Sequence, residues 1–356
     1  MNVVVLGAGS IGVYVGGLLA SAGARVTFVG RPRVLDEITA NGLRLTDLDG
    51  ASVSVEPGRF HTATATADAD VEAADLILVT VKSAATAAAA RELVGRTKPD
   101  ALVISLQNGI GNDAVIREIL PNRVVLAGMV MFNVVRHPGG RFHRGTEGGI
   151  AVADDAALTE VARLFDRAGS TLRRYPDLLP VQWAKLLLNL NNPINALSGR
   201  PLREELADRN YRRCLAMTQG EALAVMNRAR IRPARLTPLP PKLMTRLLTV
   251  PDALFRRVAG KVLAIDPLAR SSMADDLASG RKTEISWLCG EIVELGAMVG
   301  MSTPVNQRLV ELIVAAEQGD RRTWTGPELL EQLRAARHLN GGRTRTDRAI
   351  RRRGVR

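Results

Sequence analysis

Six residues into the chain, the apolar run Val3-Val4-Val5-Leu6 meets Gly7-Ala8-Gly9-Ser10-Ile11-Gly12 and passes at once into an apolar pattern of helical period. No other stretch restricts the fold as strongly. A G-x-G-x-x-G sequence between a buried strand and a helix is the turn that opens a dinucleotide-binding βαβ unit. Gly7 permits the tight turn, Gly9 lets the backbone approach a pyrophosphate, and Gly12 lets the helix pack closely on the strand. The helix start offers unpaired N–H groups to the anion. Gly7, Ala8, Gly9, Ser10, Ile11 and Gly12 therefore form the candidate cofactor loop, with Val13, Val15, Leu18 and Leu19 as the inward face of the helix.

The second expected strand, Arg25-Val26-Thr27-Phe28-Val29, bears on which dinucleotide is bound. The residue about 20 positions beyond the glycines contacts the adenosine ribose, and a carboxylate there would accept from a free 2′-hydroxyl. Here the position is Arg31, and the first carboxylate is Asp36. A guanidinium grips phosphate oxygens through paired charge-assisted hydrogen bonds. The expectation is NADP(H).

The 356 residues fit two ordinary domains, and an apolar fraction of 46% supplies their cores. Cys214 and Cys289 form no C-x-x-C, and His61, His137, His143 and His338 show no ligand spacing, so neither a disulfide framework nor a metal site is expected. A strand begins almost at the first residue and no apolar run is long enough to span a bilayer. A secretory signal and a membrane partner are thus not expected, and a cytoplasmic location is. The net charge of +12 invites a nucleic-acid reading, but half of it sits in residues 341–356, where seven arginines face one aspartate. Such a block without an apolar face reads as a solvated, disordered tail, and nucleic acid is not expected as a partner.

From 1 to about 175, short Val/Ile/Leu runs alternate with helical stretches, as in a parallel sheet covered on both faces. The runs are 74–81, 101–106 and 124–129, with Gly148–Ala153 expected as an edge strand. Past Leu179-Pro180 the pattern is helical throughout, interrupted by the proline-rich stretch 233–241. The expected fold class is α/β: an N-terminal Rossmann-like domain with a parallel sheet (1–175), then an all-α C-terminal domain (176–340) and the basic tail (341–356). Ligands would bind in a cleft between the two domains. An all-α second domain is of the kind that commonly supplies homodimer contacts.

Three segments carry candidate chemistry. Lys82 and Asn108 fall just past the carboxyl ends of two apolar runs, where open parallel sheets bind ligands; Asn108-Gly109 equally suits a β-turn. The stretch Gln182–Pro193 reads as one apolar helix on which Lys185, Asn189 and Asn192 share a face by i, i+4, i+7 spacing. A lysine among leucines loses basicity and becomes a usable acid near neutrality. Pro193 should release the Asn189 carbonyl from its helical partner. Finally, Ser271-Ser272-Met273 with Asp276 precedes Thr283-Glu284, which is expected to open a helix; Glu284 either favours the helix dipole or compensates Lys185.

Taken together, the glycine motif, Val81-Lys82, Asn108-Gly109, Trp183-x-Lys185 with its asparagines, Ser271-Ser272-Met273 with Asp276, and Thr283-Glu284 resemble the ketopantoate reductase family, over about residues 1–330. These are the NADPH-dependent 2-dehydropantoate 2-reductases of pantothenate synthesis. The resemblance implies that Lys185 is the general acid and that Asn189 and Asn192 orient substrate. It implies further that Ser272 binds the substrate carboxylate end, and that Glu284 binds substrate and positions Lys185. Asn108 would line the junction of nicotinamide and substrate, with Lys82 near the cofactor. The substrate would be a small 2-oxo acid.

The chain departs from that pattern in three ways. The family often spaces its lysine and two asparagines by four and four, whereas Asn189 and Asn192 stand at +4 and +7, with Asn191 and Asn195 as stand-ins. The stretch 230–270 is longer and richer in proline and arginine, and the basic tail has no family role. Two alternatives stay open on the residues alone: a 3-hydroxyacid or polyol-phosphate type of dehydrogenase, and a non-catalytic NADP(H)-sensing or nucleic-acid-binding protein.

Overall fold

A computed structural model describes residues 1–258 and 269–353, with side chains through 257 and from 269 to 339. It divides into two compact units, Met1–Gln182 and Trp183–Arg356.

The first unit holds twelve strands: β1 (Asn2–Leu6), β2 (Arg25–Val29), β3 (Leu43–Thr46), β4 (Ser52–Val55), β5 (Phe60–Ala63), β6 (Leu76–Val79), β7 (Leu102–Ser105), β8 (Val124–Val130), β9 (Val134–His137), β10 (Arg141–Arg144), β11 (Ile150–Ala153) and β12 (Leu172–Tyr175). Its helices are α1 (Ser10–Ser21), α2 (Pro32–Asn41), α3 (Thr86–Arg91), α4 (Asn112–Ile119) and α5 (Leu158–Arg167). Eight strands form one sheet in the order β12-β11-β8-β7-β6-β1-β2-β5, and β4-β3-β10-β9 form a second. Alternation explains the unbroken apolar runs. Val3, Val5, Leu76 and Leu78 enter the core on one face of the large sheet, while Val4, Leu6, Ile77 and Val79 enter the core on the other.

The expected edge strand needs correction. β11 lies inside the sheet, antiparallel to β8 and parallel to β12, so the edges are β12 and β5. Its residues Ile150, Ala151 and Val152 are buried. The small sheet was also unforeseen. It covers α1 from the side away from the large sheet: a Cβ on Gly16 would meet the Phe28 ring at 2.5 Å, and one on Gly17 would meet Leu43 and Leu45 at 2.9 Å. The helix is therefore buried on two sides rather than one.

The second unit is helical among its described residues. It comprises the end of α6 (Leu179–Asn189), α7 (Asn192–Ser198), α8 (Leu202–Ala207), α9 (Arg209–Arg228), α10 (Pro241–Leu247), α11 (Asp252–Val258), α12 (Ser272–Ala278), α13 (Cys289–Met298), α14 (Pro304–Glu317) and α15 (Gly326–Arg353). Fully buried Arg212 pins the segment 248–255 to the end of α8. Its guanidinium donates to the carbonyls of Leu206, Ala207, Leu248 and Val250 and to the Asp252 carboxylate, and stacks 4.1 Å over the Phe255 ring. All five donors of the group are thereby used.

The last helix runs on into the basic tail. The backbone is helical through Arg353, and residues 354–356 lie outside the described residues. Thr325 and Glu328 start this helix with reciprocal side chain-to-backbone bonds, and Leu329, Leu330 and Leu333 anchor its first turns in the core.

Candidate active site

The glycine loop is built by β1, β2 and β6 together. Gly7 (φ +112°) and Ala8 both donate to the Val29 carbonyl, at 3.0 and 2.8 Å, which folds the loop against the end of β2. Thr80, just past β6, donates to the Gly7 carbonyl at 2.7 Å. A Cβ on Gly12 would stand 2.3 Å from that carbonyl oxygen, whereas one on Gly9 would meet nothing within 4 Å. Gly9 thus faces open space at the N-terminus of α1, which has no side-chain cap and no acidic residue in its first turn. Gly30, which sequence reasoning passed over, presses on Ala8: a Cβ there would lie 2.5 Å from that of Ala8. Arg31 follows directly and is exposed at the start of α2.

Lys82 and Asn108 follow the ends of the adjacent strands β6 and β7, where the sequence put them. A buried polar network holds the two segments together. Ser83 Oγ donates to the Asn108 carbonyl at 3.0 Å, and Asn112 Nδ2 donates to the same carbonyl at 2.8 Å. Gln107 Nε2 reaches the Val81 carbonyl at 2.9 Å and Thr86 Oγ1 at 2.7 Å, and Thr86 in turn donates to Asn112 Oδ1. Gly109 (φ +88°) and Gly111 (φ +78°) make the turn between. Gln107, Thr86 and Asn112 were missed as positioning residues, because each is an unremarkable polar residue until the strands are paired.

In the second unit Lys185 is half-buried on α6 among Ala184, Leu186 and Leu187, all nearly inaccessible. Burial alone lowers the ammonium pKa to about 8, and no carboxylate field figures in the shift. Asn189, one turn on, is the last residue of α6. The expected single helix is corrected here: it stops at Asn189, turns at Leu190-Asn191, and restarts at Asn192 with Pro193 in the first turn. Proline has no N–H to continue the ladder but suits a helix start. Asn192 therefore does not share a helix face with Lys185. From α9, Gln219 donates to the Leu187 carbonyl at 3.0 Å and fixes α6 beside the lysine.

The stand-ins Asn191 and Asn195 prove to be buried. Both side-chain amides donate to Oε2 of Glu205, at 3.0 and 3.1 Å, and Asn195 Oδ1 accepts the Ser271 N–H at 2.9 Å. Ser271 also donates to the Asn192 carbonyl at 3.2 Å and caps α12. The starts of α7 and α12 are thus joined, which brings Asn192 and exposed Ser272 into one neighbourhood. Thr283-Glu284 opens only a 3₁₀ turn, Ile285–Trp287, before α13 begins at Cys289. Glu284 is half-buried there. Cys214 and Cys289 are free and buried, and among the described residues no cluster of His, Cys, Asp and Glu could hold a metal.

Two family profiles match most of the chain: Ketopantoate reductase PanE/ApbA over residues 3–156, and Ketopantoate reductase PanE/ApbA C terminal over residues 177–317. The chain belongs to the ketopantoate reductase family. It is 33% identical over 326 residues to the 2-dehydropantoate 2-reductase of Halobacterium salinarum, covering 89% of this chain and 99% of that one. The corresponding Pyrococcus horikoshii protein is 29% identical over 330 residues, covering 89% and 98%. Among solved structures, a PanE/ApbA family ketopantoate reductase from Ralstonia eutropha superposes with a TM-score of 0.75 at 29% identity, covering 89% of this chain and 99% of that one.

Ketopantoate reductases are oxidoreductases that use a nicotinamide dinucleotide, and the N-terminal unit fits one. The uncapped start of α1 and the open space over Gly9 are what a pyrophosphate requires. Among the described residues no helix is long and apolar enough to cross a membrane.

Proposed function

We propose that this protein reduces the 2-oxo group of 2-dehydropantoate to give pantoate, with NADPH as the hydride donor. The observation that carries the reading is Lys185, an ammonium on a leucine-rich helix whose pKa is brought down to about 8 by burial alone. An acid is most effective when its pKa lies near the working pH.

When bound, the nicotinamide supplies a hydride to the substrate carbonyl carbon. Negative charge then grows on the carbonyl oxygen, and the Lys185 ammonium stabilises it and donates the proton that completes the alcohol. Asn189 and Asn192 orient the substrate from the end of α6 and the start of α7. Ser272, at the start of α12, holds the carboxylate end, and Glu284 helps bind substrate and position Lys185. In the N-terminal unit, Gly7–Gly12 hold the pyrophosphate, Lys82 and Asn108 serve the nicotinamide side, and Arg31 takes the 2′-phosphate. The preference for NADPH is supported by the exposed Arg31 guanidinium and by the lack of a carboxylate at the end of β2. A cytoplasmic location belongs to the same reading.

The test is NADPH oxidation against a panel of 2-oxo acids. The reading expects 2-dehydropantoate to give the highest kcat/KM. A clear preference for another 2-oxo acid would keep the reaction and replace the substrate. No oxidation with any of them would overturn both.

A further inference from the structure

Glu205, on α8, is fully buried and lies at the centre of the polar network described above. Its Oε2 accepts two amide N–H groups, from Asn191 and Asn195. Its other oxygen, Oε1, has no hydrogen-bond partner among the described residues, and neither has Oδ1 of Asn191. Two buried acceptors without donors therefore sit on side chains that already share one hydrogen bond. An unmade hydrogen bond at a buried polar atom is costly, and a charged carboxylate left half-satisfied is costlier still.

One proton removes both deficits. We infer that Glu205 is held as a neutral carboxylic acid whose Oε1–H donates to Asn191 Oδ1, and that this acid–amide pair positions the α6–α7 junction. A carboxylic acid and a primary amide are complementary in this way: Nδ2–H donates to Oε2 while Oε1–H donates to Oδ1. The bond back to Asn191 fixes the turn between Asn189, which ends α6, and Asn192, which begins α7. Through Asn195 and the Ser271 N–H the same group fixes the start of α12 beside Ser272.

The surroundings favour the neutral form. Burial pushes the Glu205 carboxyl up to about 8, against the opposing pull of the two amides, and no cation contributes. From α9, Tyr211 and Cys214 feel its field; burial raises both, Cys214 to about 12, so both are neutral at pH 7. Arg212 on α9 is committed to backbone carbonyls and Asp252, and Arg200, after α7, lies over the Tyr211 ring. Asp208, beyond the end of α8, caps α9 through the Asn210 N–H. From α7 and α12 the groups in the network are the amides and the Ser271 backbone.

Glu205→Gln is the decisive variant, because its amide presents one acceptor and one donor, as the neutral acid does. Thermal unfolding of the wild type and E205Q is followed from pH 4 to 9. A carboxyl with a raised folded pKa contributes stability that is fully present below its unfolded pKa, about 4.3, and is lost as pH rises toward the folded value. The wild-type Tm should therefore fall relative to E205Q across about pH 4.3 to 8 and then level off, each pH unit within the window costing up to about tenfold in the folding equilibrium. In infrared difference spectra at pH 6, E205Q should lack a carboxylic-acid carbonyl band that the wild type has. Parallel Tm curves together with an unchanged spectrum would overturn the proton.

The positioning role rests on the function proposed above and is read separately, at pH 7. E205Q should retain activity while Glu205→Ala raises KM for the 2-oxo acid and lowers kcat, with NADPH affinity unchanged. A folded E205A with wild-type KM and kcat would overturn the positioning role. If the wild type reduces no 2-oxo acid, the functional reading fails, and the melting and infrared results still decide the proton.

Discussion

Thr80 Oγ1 donates to the carbonyl of Gly7 at 2.7 Å, and the pair closes over residue 12, where a Cβ would lie 2.5 Å from the hydroxyl and 2.3 Å from the carbonyl oxygen. The glycine motif is thus two different requirements. Gly12 is a packing position set by β6, whereas Gly9 faces only the space a ligand would fill.

Gly12→Ala and Gly9→Ala should separate these requirements. Backbone cannot yield to the added methyl at position 12, so G12A should lose about 1–3 kcal/mol of stability along with dinucleotide affinity. Gly9 has an ordinary φ of −84°, so G9A should keep the wild-type Tm and lose only affinity. Thermal melts and dinucleotide titrations of both variants check this; equal Tm losses would contradict it.

Cofactor preference should rest on Arg31. Only NADPH carries a 2′-phosphate, and a charge-assisted bond to it is worth roughly 1.5–3 kcal/mol. Arg31→Ala should therefore weaken NADPH binding by roughly ten- to a hundredfold and leave NADH binding nearly unchanged. Equal losses for both cofactors in a titration would remove Arg31 from the 2′-phosphate.

Arg212 should be a structural arginine that lysine cannot replace. Its five N–H donors hold the end of α8 and the segment between α10 and α11. An ammonium has three donors and no planar fork, so Arg212→Lys strands buried carbonyls. A loss of about 3 kcal/mol or more is expected in denaturant melts, on the scale of breaking a buried ion pair. A loss under about 1 kcal/mol would show that the carbonyls find other partners.

What could be read from the chain was what is local. The glycine motif, Arg31, Lys82 and Asn108 each follow an apolar strand directly, and a strand end defines its neighbours. The break in the Lys185 helix was half-legible: Pro193 marks a helix start, but the leucines at 186–188 and 190 continue the apolar pattern across the turn. Gly16 and Gly17 signal close packing without saying that a second sheet supplies it. The roles of Asn191 and Asn195 could not be read at all, since they depend on Glu205 arriving from α8 and Ser271 from a segment about 80 residues away. Strand β11 was misplaced at an edge because an antiparallel partner leaves no mark on a short apolar run.

Lys185 as the proton donor is measured most directly by the kcat of Lys185→Ala with 2-dehydropantoate and NADPH. NADPH affinity should hold, since the residues proposed for the cofactor are in the first unit, while kcat should fall by about 10²–10⁴, the usual share of a positioned acid. In the wild type, kcat should decline as pH rises past about 8, where the Lys185 ammonium loses its proton. A K185A enzyme that turns over at near the wild-type rate, with the same decline above pH 8, would place the acid elsewhere and contradict the mechanism at its centre.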